Sequence, residues 1–230
     1  MIKVSNISKT INDTQILKDV SLDIRPGDNI ALLGKNGAGK TTFLRILANL
    51  INPDTGSIKI EGRHITSNDI SMVGARSESF FSEITVFENL NFFASFHIKD
   101  NSRRYELLLK YLRELEIEEK KDQRFSSLSS GEKKKINIVR ELIKKPKLLI
   151  LDELNNSLDL ITRDKMQKIL KDMLIKNNKL AIIHATHYLD DIIGFSNRAV
   201  FLKKKKLLEK DIFKSTGNFL ELKDILIQNI

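Results

Sequence analysis

Gly34-Lys-Asn-Gly-Ala-Gly-Lys-Thr41 fits the pattern G-x-x-x-x-G-K-[ST] at every position. The apolar run Ile30–Leu33 precedes it and reads as a buried strand. Phe43–Ala48 follows and reads as a helix with an apolar face. That strand–loop–helix setting gives the motif its meaning, because glycines let the backbone curl until several N–H groups point into one concavity. The helix after the loop adds its positive N-terminal end. Lys40 is placed to reach the β- and γ-phosphates of a nucleoside triphosphate, and the Thr41 hydroxyl to ligate Mg²⁺.

Around this loop the chain alternates strand and helix patterns. Ile2–Val4, Ile16–Ile24 and Asn29–Leu33 read as strands, the last two separated by the turn Arg25-Pro-Gly-Asp28. The turn cluster Asn52–Gly56 leads into the alternating stretch Ser57–Glu61. From about Thr85 to Lys145 the period becomes helical: Phe87, Leu90, Phe93 and Ala94 share one face, as do Leu107, Leu108, Tyr111, Leu112 and Leu115. Leu148–Leu151 is again a continuous apolar run. A helix over Leu160–Lys176, a strand over Leu180–Ile183, and a hairpin from Ala199–Leu202 and Leu207-Leu208 complete the order. The tail, Phe219–Ile227, is weakly amphipathic.

The size, 230 residues, suits one domain with a subdomain. No apolar run reaches 18 residues, so no membrane-spanning helix is expected, and Met1–Asn6 alternates like a strand rather than a signal peptide. Without cysteine there are no disulfides and no thiolate metal sites. Net charge is +9, from 39 Lys plus Arg against 30 Asp plus Glu, with runs at Lys133–Lys135, Lys144–Lys147 and Lys203–Lys206. These read as a solvated surface. Attraction to anionic lipid or nucleic acid is the other reading, but no aromatic residues interleave to form a base-stacking platform. No specific nucleic-acid binding is expected.

Two further motifs complete the phosphate chemistry. Leu148–Leu151 delivers Asp152 and Glu153 at a strand's C-terminal end, where ligands sit in open α/β sheets. Asp152 is placed to hold Mg²⁺ and Glu153 to polarise an attacking water. His187, past the strand Leu180–Ile183, is placed to meet the γ-phosphate or that water. His64, His97 and His184 read as surface or packing residues. Leu128-Ser-Ser-Gly-Glu132 opens a basic helix and offers free N–H groups and hydroxyls as a second anion site; the plainer reading is an ordinary N-cap with Glu132 supporting the first turn.

In this order and spacing the residues resemble the ATP-binding cassette (ABC) ATPases over essentially the whole chain. Gly34–Thr41 matches Walker A, Leu128–Glu132 the signature, Leu148–Glu153 Walker B with its glutamate, Asn156–Asp159 the D-loop and His187 the switch histidine. The resemblance implies an α/β P-loop NTPase fold: a mixed β core (about 1–75 and 146–215), an N-terminal antiparallel β subdomain, a helical subdomain (about 76–145) and a tail (216–230). It implies a head-to-tail homodimer, or a heterodimer with a second cassette, around ATP and Mg²⁺. Gly34, Asn36, Gly37, Ala38, Gly39, Lys40, Thr41 and Thr42 would bind the nucleotide, joined by Ser129, Gly131 and Asp159 across the interface. Thr41 and Asp152 would hold the metal, and Lys40, Glu153 and His187 would be catalytic. Departures from the family pattern fall at Ile11 (where an adenine-stacking aromatic is usual), Arg76 (the Q-loop glutamine), Ser130, Glu132 and Leu154.

The implied role is the ATPase subunit of an exporter, cytoplasmic and peripheral on the inner face of the cell membrane, with its permease on a separate chain. A single cassette without the C-terminal extension common in importers points to export. Phe80 and Phe81 are expected as an exposed docking patch, and Phe87, Phe93 and Phe96 as a buried face. The alternative is a soluble cassette ATPase acting on a macromolecule in translation, repair or iron–sulfur assembly.

Overall fold

The computed structural model describes residues 1–66, 68–74, 80–152, 159–186, 192 and 194–210. A hairpin opens the chain: β1 (Ile2–Ile11) pairs antiparallel with β2 (Thr14–Ile24) through Asn12 and Asp13. Both turn residues have positive φ, 46° and 60°, which matches the right-handed twist of the flanking strands. β4 (Thr55–Ile60) pairs on the other side of β1, and β5 (Arg63–His64) on β4, so one sheet runs β2-β1-β4-β5.

The second sheet has six strands. β3 (Asn29–Leu33), β6 (Ile70–Val73), β7 (Leu148–Asp152), β8 (Ala181–Ala185), β9 (Arg198–Lys203) and β10 (Lys206–Lys210) stand in the order β10-β9-β3-β8-β7-β6. The strands from β9 to β6 are parallel, and β10 returns antiparallel on β9. β3, β7 and β8 are buried at every residue, as expected of parallel strands covered on both faces.

Successive residues of these strands enter different cores. Leu149, Leu151 and Ile182 pack with α2 (Val86–Ser95), α3 (Asn101–Glu114), α4 (Ser130–Leu142) and α5 (Leu160–Lys176). Leu148, Ile150, Ile183 and Leu32 pack with α1 (Lys40–Leu47) and the antiparallel sheet. The sheet is therefore the middle layer of three. Burying each leucine of β7 is worth about 1.5–3 kcal/mol, which makes this strand the mechanical reference for the acid at its end.

The element order follows the sequence reading, with informative exceptions. β1 runs seven residues past its expected end at Val4. Register shifts between Val4 and Ile7 and between Ile7 and Lys9 break its alternation, so period two is hidden where the strand is bulged. β6 was not foreseen: its four residues include Ser71, which is buried because its hydroxyl donates to the Glu141 carbonyl at 3.1 Å. β4 starts at Thr55, inside the expected turn cluster. The Lys133–Lys135 run is half-buried rather than freely solvated, and burial lowers the pKa of Lys134 and Lys135. The expected tail, 216–230, lies outside the described residues.

The phenylalanines rearrange most. Phe80 is not part of an exposed patch. It stacks on Phe125 with ring centroids 4.4 Å apart and lies under the Arg140 guanidinium at 4.9 Å. Phe96, expected on the buried face, is 71% exposed, because α2 stops at Ser95 and the helical register no longer applies. Phe87 and Phe93 are half-buried, while Leu90 and Ala94 are fully enclosed.

Candidate nucleotide site

β3 leads into the glycine loop through Gly34, whose φ is +154°. A Cβ built there would lie 2.7 Å from the Leu202 carbonyl oxygen of β9. The backbone leaves the sheet too close to its neighbour for any side chain. At the loop's far end Gly39 (φ +103°) caps α1, and its absent Cβ would meet an Ile16 methyl of β2 at 2.8 Å. Between them Lys35, Asn36 and Gly37 are exposed at the tip, where the Ala38 N–H donates to the Lys35 carbonyl at 3.0 Å. No side chain caps α1, so its first amides and its dipole remain directed to the loop.

Lys40, the first residue of α1, folds back over the loop. Its ammonium donates to the Gly34 carbonyl at 2.6 Å and to the Lys35 carbonyl at 3.1 Å. The positive charge is thus held over the same backbone that would cradle phosphate. Thr41 and Thr42 follow in the helix's first turn, both half-buried. The Thr41 hydroxyl donates to Asp152 Oδ1 at 3.4 Å across 111 residues of sequence. Asp152 is the last residue of β7, buried, and paired in register with Ala185 of β8. Ala185 is in turn opposite Leu32 of β3, so three parallel strands bring loop and acid to one edge.

A hard dication needs oxygen ligands and keeps several places for water or phosphate. A hydroxyl beside a carboxylate at the mouth of a phosphate loop fits Mg²⁺ on those terms. The described residues hold no cluster of three or more His, Cys, Asp or Glu side chains, and a metal shared with phosphate does not require one.

The other expected site residues are placed differently. Ser129 and Gly131 lie at the start of α4, where Ser129 is exposed and Gly131 buried. Ser129 and Glu132 form a capping box: the Glu132 N–H donates to the Ser129 hydroxyl at 3.3 Å, and Glu132 Oε2 accepts from the Ser129 N–H at 2.8 Å. That backbone hydrogen bond, with Lys120 at 3.3 Å, keeps the Glu132 pKa below the usual carboxylate value. Asp159 caps α5, accepting from the Thr162 hydroxyl (2.6 Å) and N–H (2.9 Å), which lower its pKa in that order. Arg76, Glu153, Leu154, Asn156 and His187 lie outside the described residues. Thr186, just before His187, donates its N–H to the Leu32 carbonyl at 3.3 Å, on the strand that delivers the loop.

Two features were not foreseen. Ile16 touches the glycine loop at Gly39, while Ile11, at the position where the resemblance puts an adenine-stacking aromatic, is 40% exposed beside the hairpin turn, opposite Thr14. Lys120, through its bond to Glu132, supports the capping box from a separate 3-10 turn. The spacing Ser129-x-x-Glu132 already signalled the box itself. Of the histidines read as surface or packing residues, His64 and His97 are exposed, and His184 is buried with Nε2 2.7 Å from the Ser196 hydroxyl.

The tightness at Gly34 supplies a stability prediction. Gly34→Ala must push Cβ against a backbone oxygen that no rotamer change relieves. It is expected to lower unfolding free energy by about 2–3 kcal/mol, seen as an earlier midpoint in urea.

The profile of the family described as ABC transporter matches residues 17–156. The Haemophilus influenzae protein named spermidine/putrescine import ATP-binding protein PotA is 34% identical over 227 residues, covering 95% of this chain but 60% of its own length. The chain therefore spans about 60% of the length of such relatives. Bacillus subtilis YdbJ, named an uncharacterized ABC transporter ATP-binding protein, is 30% identical and covered over 74% of its length, against 99% of this chain. Among solved structures, cbiO1 of Clostridium perfringens, part of the ABC transporter complex cbiONQ, superposes with a TM-score of 0.83 at 24% identity, covering 98% of each chain. The dimeric ATP-binding cassette MJ0796, in a post-hydrolysis state with ADP and Pi, gives 0.78 at 24% identity, covering 91% of this chain and 98% of its own. At that identity the last two establish the fold alone. PotA is named for import, so this relative gives the expected export direction no support. With the family profile covering more than half its residues, the chain belongs to the ABC transporter family.

Proposed function

We propose that the chain is the ATP-hydrolysing subunit of a membrane transporter, working as a dimer on a separate permease. The observation that carries this reading is the convergence of Lys40, Thr41 and Asp152 at the C-terminal edge of β3 and β7, with the amides of α1 beneath. Lys40 would turn from the loop carbonyls to the β- and γ-phosphates, and Thr41 and Asp152 would hold Mg²⁺ between them. The metal would neutralise charge on the phosphates. Glu153 would take the proton of a water attacking the γ-phosphorus in line, the β–γ bridging bond would break, and ADP and phosphate would leave. His187 would steady the charge that develops on the transferred group.

The dimer follows from the second anion site. The Ser129 turn stands at the head of α4, a helix of the layer that packs on edge strand β6, three strands from β3. A second copy placed head to tail would bring its Ser129 and Gly131 to this chain's nucleotide. Two closed sites would form at once, and hydrolysis would release both.

Uptake is the better-supported direction, because PotA and the relatives like it are named import proteins. A soluble factor acting on a macromolecule has no support among these relatives. No helix among the described residues is long and apolar enough to cross a membrane, so the path for cargo would belong to the partner, and membrane attachment would be peripheral. Three exposed phenylalanines mark a place for that partner: Phe81 (51%), Phe92 (44%) and Phe96 (71%), with Phe92 edge-on to both others at centroid distances of 5.3 and 5.2 Å. Clustered exposed aromatics of this kind mark interaction surfaces.

Affinity purification from detergent-solubilised membranes tests the proposal. An integral membrane protein should co-purify, and size-exclusion chromatography of the Glu153→Gln variant, in which hydrolysis is blocked, should show dimer with ATP and monomer without. Consistent recovery of the chain alone, with no shift on ATP, would remove both partners from the account. Phe92→Ser with Phe96→Ser is expected to cut permease recovery about tenfold or more while leaving the isolated subunit's ATPase rate within about twofold.

A further inference from the structure

The parallel strands have two poles. The glycine loop and Asp152 occupy one. The other lies where Leu148 and Ala181 begin β7 and β8, about 13 Å back along β7 at 3.3 Å per residue. There a cavity of about 480 Å³ opens between α3 and the C-terminal ends of α4 and α5. Buried Leu142, Met173 and Leu180, with half-buried Tyr111, give it an apolar lining. Its volume lies in the range of small-ligand sites.

Lysines surround this lining, and their balance indicates what would fit. Lys110 faces Glu114 at 3.9 Å, and Lys147 pairs with Glu61 at 2.9 Å, so those charges cancel. Lys145, Lys176 and Lys179 are exposed at the cavity and form no ion pair among the described residues. Three charges exceed what two helix ends require, since each C-terminus carries about half a negative charge. The remainder is about +2. A phosphate monoester carries about −1.5 to −2 at pH 7. Burial, then Glu114, pushes the Tyr111 phenol up to about 12, so it keeps its proton beside such an anion.

We infer that this cavity binds a small phosphate monoester bearing an apolar group, at a site separate from the nucleotide loop. The phosphate would sit among Lys145, Lys176 and Lys179, and the apolar group on Leu142, Met173 and Leu180. The inference is independent of the transporter reading, because none of these residues takes part in ATP binding or hydrolysis.

Phenyl phosphate is the probe. The full chain is first saturated with Mg·ADP to fill the loop, then titrated by calorimetry. One saturable site is expected, weakened about tenfold or more in the triple variant Lys145→Gln/Lys176→Gln/Lys179→Gln and unchanged in Lys59→Gln on β4. The three lysines are exposed, and an unchanged melting temperature would show that the variant folds. No saturable heat, equal affinity in the triple variant, or equal binding of phenol would each overturn the inference. So would lysine-dependent sedimentation with phosphatidylglycerol vesicles in the absence of phenyl phosphate binding, which would assign the face to a lipid surface.

Discussion

Lys40→Ala is expected to reduce ATP turnover by about a hundred- to a thousandfold, the usual cost of removing one preorganised charge from a reacting phosphate. Its ammonium already stands over the loop, 2.6 Å from the Gly34 carbonyl and 3.1 Å from that of Lys35. Little reorganisation separates this pose from one that meets phosphate. The substitution removes the charge and both loop contacts, so ATP affinity should fall as well, by about tenfold or more. ATP-driven dimerisation should disappear with it. A steady-state phosphate-release assay and equilibrium binding of a fluorescent ATP analogue measure the two effects. Turnover within a few-fold of the parent would mean that the loop does not carry the chemistry assigned to it.

Glu153→Gln should give the opposite pattern. Turnover should fall by about a hundred- to ten-thousandfold, the range for loss of a general base, while ATP binding stays intact. With binding preserved and hydrolysis blocked, the dimer should persist in Mg·ATP and elute at twice the monomer mass. The contrast is diagnostic. One variant loses the dimer because it loses the nucleotide; the other keeps the dimer because it cannot discharge it. Hydrolysis at the parent rate in Glu153→Gln would move the base to another residue. Glu153 follows Asp152 directly, and Asp152 is fixed by β7, so the expectation rests on a well-anchored neighbour.

Much of the fold was legible where the signal is local. Glycine spacing at Gly34, Gly37 and Gly39 encodes backbone conformations that few other residues adopt. Continuous apolar runs at Ile30–Leu33 and Leu148–Leu151 mark strands covered on both faces. The helix expected over Leu160–Lys176 has those bounds in the structure, with Asp159 as its cap. Legibility failed where local pattern and packing disagree. β1 is bulged, so its alternation is interrupted. β6 hides a serine whose partner is a carbonyl 70 residues away. Phe80 resembles a loop aromatic, yet Arg140 and Phe125 enclose it.

The site divides in the same way. By itself the sequence determined the loop, the acid after an apolar strand and the capping spacing at Ser129, because each depends on residues within about one turn or strand of one another. It did not determine that Ile16 meets the loop, nor that Lys145, Lys176 and Lys179 gather at the opposite pole. Only the tertiary structure decided those, along with the 3.4 Å approach of Thr41 to Asp152. The physical reason is the sheet order. Whether β7 stands beside β8, and β8 beside β3, depends on which buried faces pack together over a hundred residues, and no short stretch of sequence carries that information.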